Sequence, residues 1–231
     1  MDYQVVVHAG GEGTRLRPYT LEKPKALLDV NGKTLIEIAL KPFLDAGIKK
    51  FVFTASYKAD MMRGFFENNF PDLDVSFIDE PKPAGRAGAV KFGIEQGKLD
   101  PDKLTIITAA DDLIEVDVPK LIASHKASRA KSTIVISKTF ANPFGVVHYS
   151  ANKITKFEEK PQTSMPENQA VNTGMKVFSD LKLFLDVPVP SHEEYVIFPK
   201  LAEQNDIGVF FSDSWRPINT KDEYHKLIKE D

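Results

Sequence analysis

The stretch HAGGEGTRLRPYTLEKPKALL, residues 8–28, decides how the rest of the sequence is interpreted. It follows a short apolar run at residues 4–7 and holds three glycines, two arginines and two lysines. Its glycines expose backbone amides to an anion because no Cβ atom covers them, while Arg15 and Lys25 add positive charge. Open α/β sheets bind ligands in loops of this kind, beyond the carboxyl end of a strand. The stretch is therefore typical of a phosphate-binding loop.

Two common phosphate-binding templates do not fit this loop. A dinucleotide-binding fingerprint starting at Gly11 requires a third glycine where Leu16 stands. A Walker loop requires Gly-Lys followed by Ser or Thr, and the sequence lacks it. Two interpretations remain open: another type of phosphate loop, or a solvated glycine-rich turn with incidental basic residues.

Short apolar runs alternate with segments of helical character over the first part of the chain, and the runs lie at residues 4–7, 51–54, 75–78, 104–108 and 133–136. This alternation predicts an α/β fold with a mostly parallel sheet covered on both faces. Thr34 and Glu37 have the spacing of a capping box, so we expect a helix that runs to Gly47 with a kink at Pro42. Further helices are expected at residues 61–70, at Asp117 and Pro119, and from a second capping box at Thr220 and Glu223. The large apolar residues of 61–70 are assigned to the core.

The pattern changes beyond about residue 137. Residues 145–149, a polar turn at 150–153, and residues 154–158 predict an antiparallel hairpin. We therefore expect a single domain over residues 1–231, with a first part at about 1–137 and a smaller mixed part at about 138–231. Both parts are expected to share one continuous sheet.

Composition excludes several classes of function. Lys and Arg total 30 against 33 Asp and Glu, so no general positive field favours a nucleic acid polymer. The absence of cysteine excludes disulfides, thiolate nucleophiles and cysteine-based zinc sites. The sequence shows neither a secretory signal nor an apolar window long enough to span a membrane, so we expect a cytoplasmic protein without a membrane partner.

The loop resembles the signature of the sugar-1-phosphate nucleotidylyltransferases, GGxGTRLxPxTxxxPKxLL, through GGEGTRLRP at residues 10–18 and KPKALL at residues 23–28. Five later segments resemble family motifs in the same order: EPKPAGRAGA at residues 80–89, AADDL at 109–113, PFGVV at 143–147, FEEKP at 157–161 and NTG at 172–174. The resemblance implies a Rossmann-like, three-layer α/β/α fold with a mostly parallel mixed sheet and a smaller antiparallel sugar-binding lobe. It covers nearly the whole chain, so we expect a member without the C-terminal β-helix that some relatives carry.

The resemblance also implies a reaction. An oxygen of a sugar 1-phosphate attacks the α-phosphate of a nucleoside triphosphate, which gives a nucleotide sugar and pyrophosphate. Since this nucleophile is already ionised, catalysis can rest on alignment and charge stabilisation, without a Ser/His/Asp arrangement. The implied partners are thus a nucleoside triphosphate and a sugar 1-phosphate, and a homo-oligomer is possible.

Site residues follow from the same resemblance. The implied catalytic residues are Arg15 at the departing pyrophosphate, Lys25 at the α-phosphate, Asp111 as a metal ligand and Lys160 at the sugar phosphate. The implied nucleotide-binding residues are Ala9, Gly10, Gly11, Gly13, Thr14, Glu80, Gly85 and Ala110, with Gly85 allowing a base or ribose to approach the backbone. The implied sugar-phosphate-binding residues are Gly145, Glu159, Lys160 and Asn172.

The metal site departs from the family pattern. Asp111 follows an apolar strand, where its carboxylate can hold Mg²⁺ against phosphate oxygens or, alternatively, cap a loop. A second family carboxylate is expected in the motif W-x-D-I-G-T-P-E-D-Y, but Pro217 occupies the Asp position and Asn219 the Gly position. The second ligand stays open between three candidates, Asn219, Asp213 and Asp222.

Other departures lie near the nucleotide. Ala109 and Ala110 replace the usual Asn-Gly, and Arg86 stands where Thr is common. Arg86 is interpreted either as a partner of a ligand phosphate or as a surface residue. His8 is expected to be a partly buried residue at a strand end rather than a catalytic base.

Three functional hypotheses follow. The leading one is nucleotidyl transfer to a hexose 1-phosphate of the mannose or glucose type, with GTP and mannose 1-phosphate slightly preferred. The first alternative is a cytidylyltransferase that acts on phosphocholine or another alcohol phosphate. The second, motivated by Pro217, is a catalytically weak regulatory homologue that binds a nucleotide or a nucleotide sugar.

Overall fold

A computed structural model describes residues 3–138, 145–158, 169–212 and 214–229. The strands are β1 (Tyr3–His8), β2 (Asp29–Val30), β3 (Lys33–Thr34), β4 (Lys50–Thr54), β5 (Asp74–Ile78), β6 (Leu104–Ala109), β7 (Asp112–Glu115), β8 (Ser132–Ser137), β9 (Val146–Ser150), β10 (Lys153–Glu158), β11 (Gln169–Phe178), β12 (Ile207–Phe211) and β13 (Ser214–Pro217). The helices are α1 (Tyr19–Glu22), α2 (Leu35–Asp45), α3 (Ala59–Asn69), α4 (Gly85–Glu95), α5 (Val118–Ser128), α6 (Glu193–Val196), α7 (Phe198–Glu203) and α8 (Lys221–Leu227). Short 3-10 turns lie at Thr14–Leu16, Lys25–Leu27 and Lys182–Phe184.

Nine strands form one mixed sheet in the order β5-β4-β1-β6-β11-β8-β12-β10-β9. The first four of these strands are parallel, and antiparallel β11 joins them to β8. Beyond β11, β12 runs parallel to β8, while β9 and β10 form the predicted antiparallel hairpin. The α/β class, the Rossmann-like arrangement and the continuous sheet are therefore confirmed, and the run of parallel strands lies in the first half of the chain.

The central strands are buried on both faces. Along β1, Val5 and Val7 belong to one apolar cluster, while Val6 between them belongs to another on the opposite face. Ile106 and Ile107 on β6 divide in the same way. Successive side chains of a strand point to opposite faces, so uninterrupted apolar runs are the pattern of a sheet covered on both sides. All five predicted runs are strands of this sheet.

Local signals place the starts of two helices, α2 and α8. The hydroxyl of Thr34 accepts from the amide of Glu37, and the Glu37 carboxylate accepts from the amide of Thr34 at 2.6 Å, so the first predicted capping box is present. The helix it opens continues through Pro42 and ends at Asp45, just before Gly47 with a φ of +73°. The second box, at Thr220 and Glu223, is also present.

Helix α3 corrects one detail of the sequence analysis. Met62 and Phe66 are buried as predicted, but Met61 is 42% exposed. The helical repeat of 3.6 residues places positions four apart on one face, so Met62 and Phe66 point inward and their neighbour Met61 points outward. The assignment of Met61 to the core was wrong.

The C-terminal part of the chain lies beside the cleft that contains the glycine loop. Strands β13 and β7 pair, with Pro217 opposite Asp112, and the Ile218 amide donates to the Asp111 carbonyl at 3.4 Å. The Glu223 carboxylate also accepts from the Asn219 amide at 2.7 Å, so the start of α8 fixes this segment. No helix among the described residues has both the length and the apolar character needed to cross a membrane.

A second segment, residues 191–194, crosses the start of α4 and is called the strap here. The Ser191 carbonyl accepts from the amide of Ala87 at 3.0 Å, and the Ser191 amide donates to the Ala84 carbonyl at 2.8 Å. Gly85 has a φ of +69°, and a Cβ built there would lie 2.3 Å from the Ser191 carbonyl oxygen. Only glycine allows the strap to lie this close to the helix.

We expect Gly85→Ala to lower the free energy of unfolding by more than about 2 kcal/mol, because a Cβ adds both a clash with Ser191 and a strained φ. The matched control is Gly64→Ala within α3, where nothing lies within 4 Å of the added methyl group. That change should be neutral or stabilise by up to about 1 kcal/mol. Equal urea unfolding midpoints for both variants would contradict the role given to Gly85.

Two buried histidines should make stability depend on pH. His8 bonds the Thr54 hydroxyl at 2.9 Å, and His125 bonds the hydroxyls of Thr133 at 2.9 Å and Ser179 at 3.1 Å. Burial lowers the pKa of His8 to about 3 and the pKa of His125 to about 4. Because these values lie below the ordinary value of about 6.5, each histidine contributes stability that is lost as the pH falls from 6.5 towards the folded pKa.

Imidazole NMR signals followed against pH test this expectation directly. In the folded protein both rings should remain neutral at pH 5, whereas in concentrated urea they should titrate near the ordinary value of about 6.5. Protonation of either ring near pH 6.5 in the folded protein would show that burial does not hold it neutral.

Candidate active site

A cleft of about 430 Å³ opens at the carboxyl edge of β1, β4 and β6. Residues predicted from the sequence to bind nucleotide, phosphate or metal make up about half of its lining: Ala9, Gly10, Gly11, Gly13, Arg15, Lys25, Glu80, Gly85, Ala110, Asp111 and Asn219. The cleft is also lined by His8, Ala26, Thr54, Ser56, Pro83, Ala84, Arg86, Ala89, Ala109 and His192. Thr14 begins the 3-10 turn after Gly13, outside this lining.

The glycine loop is held at both ends and open between them. The Ala9 amide donates to the Thr54 carbonyl at 2.8 Å, and the Ser56 hydroxyl donates to the Gly10 carbonyl at 3.0 Å. Further along, the Thr20 hydroxyl donates to the Gly13 carbonyl at 2.9 Å. Gly11 is exposed, and nothing lies within 4 Å of where its Cβ would be. This backbone can therefore meet an anion without rearrangement.

Lys25 and Asp111 form an ion pair within the cleft. Lys25 lies at the start of a 3-10 turn, and Asp111 follows the carboxyl end of β6. Their side chains are 12% and 32% exposed, so the pair is largely shielded from solvent while the carboxylate remains accessible. A cation and a carboxylate thus face the same space as the open glycine amides.

The donors around Asp111 fit a divalent cation that takes its other ligands from phosphate and water. Asn219 lines the same cleft, whereas Pro217 has no side-chain donor. Asp222 lies in the first turn of α8, and Asp213 lies outside the described residues. Within the described part of the chain, no group of three His, Asp or Glu residues is placed to hold a metal. Mg²⁺ needs only one or two carboxylates when phosphates complete its shell.

Two of the predicted sugar-binding residues, Asn172 and Gly145, lie on and beside β11. Asn172 is 7% exposed, its amide donates to the Gly145 carbonyl at 2.8 Å, and its side-chain oxygen accepts from the Gly174 amide at 3.0 Å. A Cβ on Gly174 would lie 2.7 Å from an Asp112 carboxylate oxygen. The structure therefore brings Asn172 and Gly145 together, next to Asp112 and outside the cleft lining.

Two predicted sugar-phosphate residues, Glu159 and Lys160, lie outside the described residues. Gly85 lines the cleft as expected. However, the backbone that approaches Gly85 closely is the strap of the same chain. The need for glycine at this position is therefore explained without a ligand.

Arg86 belongs to a group of buried charges that the sequence analysis missed. One of its terminal nitrogens lies 2.5 Å from a carboxylate oxygen of Glu194, and its Nε lies 4.0 Å from Glu193. Lys176 on β11 has no exposed surface and pairs with Glu193, while Glu194 lies 3.9 Å away. Neither sequence interpretation of Arg86 included this internal pairing. The signal that could have revealed it is a lysine within the apolar strand β11.

The four charges stabilise one another. Burial alone would raise the pKa of Glu193, but Lys176 and Arg86 hold it well below its usual range. Burial alone would lower the pKa of Arg86, but Glu193 and Glu194 raise it. Glu193 and Arg86 are therefore charged at neutral pH.

Two other titratable groups border the cleft. Burial raises the pKa of Asp112 to about 7, and the neighbouring charge of Asp111 adds to this effect. His8 is buried at the end of β1 and remains neutral because burial lowers its pKa. His8 does lie at a strand end, as expected, and it is buried rather than partly buried.

Comparisons with known proteins agree with this geometry. A family model described as nucleotidyl transferase matches residues 4–231. The mannose-1-phosphate guanylyltransferase catalytic subunits beta of Drosophila pseudoobscura pseudoobscura and Xenopus tropicalis are each 28% identical over 88% of this chain. Those matches cover 55% and 57% of the two relatives, so the chain spans about half the length of the curated relatives it matches.

Solved structures show the same fold. HddC from Yersinia pseudotuberculosis superposes with a TM-score of 0.81 at 23% identity, covering 99% of both chains. The complex of HddC with GMP-PN gives a TM-score of 0.79 over the same coverage. At this identity the likeness establishes the fold alone. The family match over nearly the whole sequence, together with the glycine loop at the sheet edge, shows that the chain belongs to the nucleotidyl transferase family.

Proposed function

We propose that this chain transfers a nucleotidyl group from a nucleoside triphosphate to a sugar 1-phosphate, forming a nucleotide sugar and pyrophosphate. The observation that carries the proposal is the convergence of the open glycine loop, Lys25 and Asp111 on one cleft. These groups match what a polyphosphate requires, because amide donors and a cation bind its oxygens while a carboxylate can hold its counter-cation.

The triphosphate binds along the glycine loop. Gly11 is exposed, with open space where a Cβ would lie, and its amide donates to phosphate oxygens. Arg15, exposed at the cleft wall, meets the pyrophosphate as it departs. Lys25 exchanges its contact with Asp111 for the α-phosphate, where negative charge develops as the new bond forms. Each group thus stabilises charge at a different point along the triphosphate.

Asp111, with Asn219 beside it, would hold Mg²⁺ in this site. When bound, the ion supplies positive charge to the phosphate oxygens. Asp111 fits this role because its carboxylate is accessible within the cleft and its present partner is a lysine, whose long stem can move aside.

The acceptor binds on the β11 side, in the part of the chain at about residues 138–231, while residues 1–137 bind the nucleotide. By resemblance, Lys160 neutralises its phosphate, and Glu159, Asn172 and Gly145 contact the sugar. The phosphate oxygen of the acceptor is already ionised, so its attack needs no general base. The buried and neutral His8 is consistent with a reaction of this type.

Within this reaction class we propose a hexose 1-phosphate of the mannose or glucose type as acceptor, with GTP and mannose 1-phosphate as the preferred pair. The relatives named above, described as mannose-1-phosphate guanylyltransferases, support this choice. The retained residues Glu159, Lys160 and Asn172 favour a sugar over phosphocholine. We place the reaction in the cytoplasm, consistent with a sequence without cysteine.

One observation favours a second candidate, a nucleotide-binding homologue with weak catalysis. Pro217 stands where relatives supply a second metal-binding carboxylate, and the described residues offer no replacement cluster. A matrix of four nucleoside triphosphates against mannose 1-phosphate, glucose 1-phosphate and phosphocholine, scored by pyrophosphate release with Mg²⁺, separates the candidates. Turnover with a hexose phosphate supports the proposal. Turnover with phosphocholine alone indicates a cytidylyltransferase, and tight nucleotide binding without product indicates the binding homologue.

We expect Asp111→Asn to reduce kcat by at least about 100-fold, because the amide keeps the shape of the side chain but removes the charge that holds the metal. The melting temperature should change little, since Asp111 is partly exposed and the amide oxygen of Asn can still accept a hydrogen bond from Lys25. The measurement is steady-state pyrophosphate release at saturating Mg²⁺.

The control for this substitution is Asp45→Asn, which removes a carboxylate from an exposed pair with Lys41 outside the cleft lining. Its kcat should equal that of the wild type. Normal magnesium-dependent turnover in Asp111→Asn would remove Asp111 from the proposed metal site.

A further inference from the structure

Thr20 lies behind the glycine loop, outside the cleft lining. It is 1% exposed in the short helix α1, and its hydroxyl donates to the Gly13 carbonyl at 2.9 Å. The same carbonyl accepts from the amide of Leu16, another buried residue, at 2.8 Å. Because both donors belong to buried residues, the Gly13 carbonyl is held towards the interior of the protein.

This carbonyl sets the direction of the next amide. A trans peptide group is planar, and its C=O and N–H bonds point to opposite sides. The Gly13 carbonyl and the Thr14 amide belong to one such group, so the bond that holds the carbonyl inward also turns the amide outward. Gly13 and Arg15, the residues on either side of Thr14, both line the cleft. The Thr14 amide is therefore available to a phosphate bound along the loop.

Gly13 also packs closely between two side chains. A Cβ atom built on it, at a φ of +61°, would lie 2.8 Å from the methyl group of Thr20 and 3.3 Å from Cβ of Lys25. The bare Cα of Gly13 therefore fits between Thr20 and the stem of Lys25. Thr20 thus sets the position of the loop relative to the cation that we place at the α-phosphate.

Helix α1, which carries Thr20, is itself fixed from two sides. It has only four residues, too few to be stable as an isolated helix. On one side, the hydroxyl of Tyr57, in the turn after β4, donates to the Thr20 carbonyl at 3.0 Å. On the other side, the Tyr19 hydroxyl lies 2.8 Å from Nε2 of His225 on α8. Since α1 is tied to both neighbours, the Thr20 hydroxyl has a defined position before any ligand binds.

We propose that Thr20 is a positioning residue for the triphosphate: its hydroxyl holds the Gly13 carbonyl inward, which presents the Thr14 amide to a phosphate and keeps the loop against Lys25. Amides that are already aimed at an anion bind it without the cost of ordering, so an orienting hydroxyl raises affinity without touching the ligand. The inference rests on the proposed function for the identity of the ligand, and adds to it a residue from outside the cleft lining.

Two substitutions at Thr20 separate its hydroxyl from the packing of its side chain. Thr20→Val keeps the branched shape but removes the donor, so we expect it to weaken the binding of inorganic tripolyphosphate and of a non-hydrolysable GTP analogue by about 3- to 10-fold. Thr20→Ser keeps the donor but removes the methyl group that faces Gly13. Its affinities should stay within about 2-fold of the wild type, although the loss of a buried methyl group lowers its melting temperature. The measurement is calorimetric titration with Mg²⁺ present, with a melting temperature for each variant.

Thr105→Val is the matched control for Thr20→Val. Thr105 is fully buried, and its hydroxyl donates to the Lys103 carbonyl at 2.9 Å near the start of β6, outside the cleft lining. This variant should lose stability but bind both phosphate probes as the wild type does. Mannose 1-phosphate provides a second control. Its proposed site lies on the β11 side, so its affinity should change less than about 2-fold in Thr20→Val.

The outcomes separate this proposal from the proposed function. Wild-type affinity for tripolyphosphate in Thr20→Val would overturn the role of Thr20. An equal loss in Thr20→Ser, or an equal loss of mannose 1-phosphate binding in Thr20→Val, would overturn it as well, because packing rather than the hydroxyl would then be responsible. If Thr20→Val behaves as expected but the wild type releases no pyrophosphate with any substrate pair, the positioning role holds while the proposed catalysis fails. A wild type that binds neither tripolyphosphate nor the GTP analogue would contradict both proposals.

Discussion

The ion pair between Lys176 and Glu193, from which water is excluded on all sides, fixes the wall of the cleft. Removing two charges from water costs several kcal/mol for each ion, and only close pairing with further hydrogen bonds offsets that cost. Losing one partner of such a pair typically costs about 3–5 kcal/mol. Because Lys176 lies on β11 and Glu193 begins α6, the pair ties the strap to the sheet. The strap in turn covers Gly85 and the first turn of α4.

Sequence patterns predicted the elements of this fold well because their signals are local. Apolar runs give strands such as β1 and β6, and the boxes at Thr34 and Thr220 give helix starts, each within a few residues. The glycine loop was predicted in the same way and does line the cleft. Met61 was predicted wrongly because an amphipathic pattern does not fix the edge of the buried face to within one residue.

The buried charges escaped prediction for a different reason. Lys176 and Glu193 are separated by a turn and a 3-10 segment, and neither residue shows its partner in the local sequence. Arg86 lies farther still from Glu194 along the chain, so its interpretation as a ligand partner or a surface residue could not include an internal anchor. Contacts of this type arise from tertiary packing and leave only one trace in the sequence, a charged residue inside an apolar strand.

The balance of charges in the cleft relates the carboxylate that is absent at Pro217 to the proposed substrates. Lys25 and Asp111 neutralise each other in the absence of ligand, and the charges of Arg86, Lys176, Glu193 and Glu194 also cancel. These paired groups therefore contribute little net attraction for a free divalent ion, and Pro217 contributes none. A triphosphate carries several negative charges, so its oxygens can complete the ligands of a divalent cation and also attract that cation to the cleft. Under the proposed function, this donor set favours a metal–nucleotide complex over a bare ion, which is compatible with a single carboxylate at Asp111.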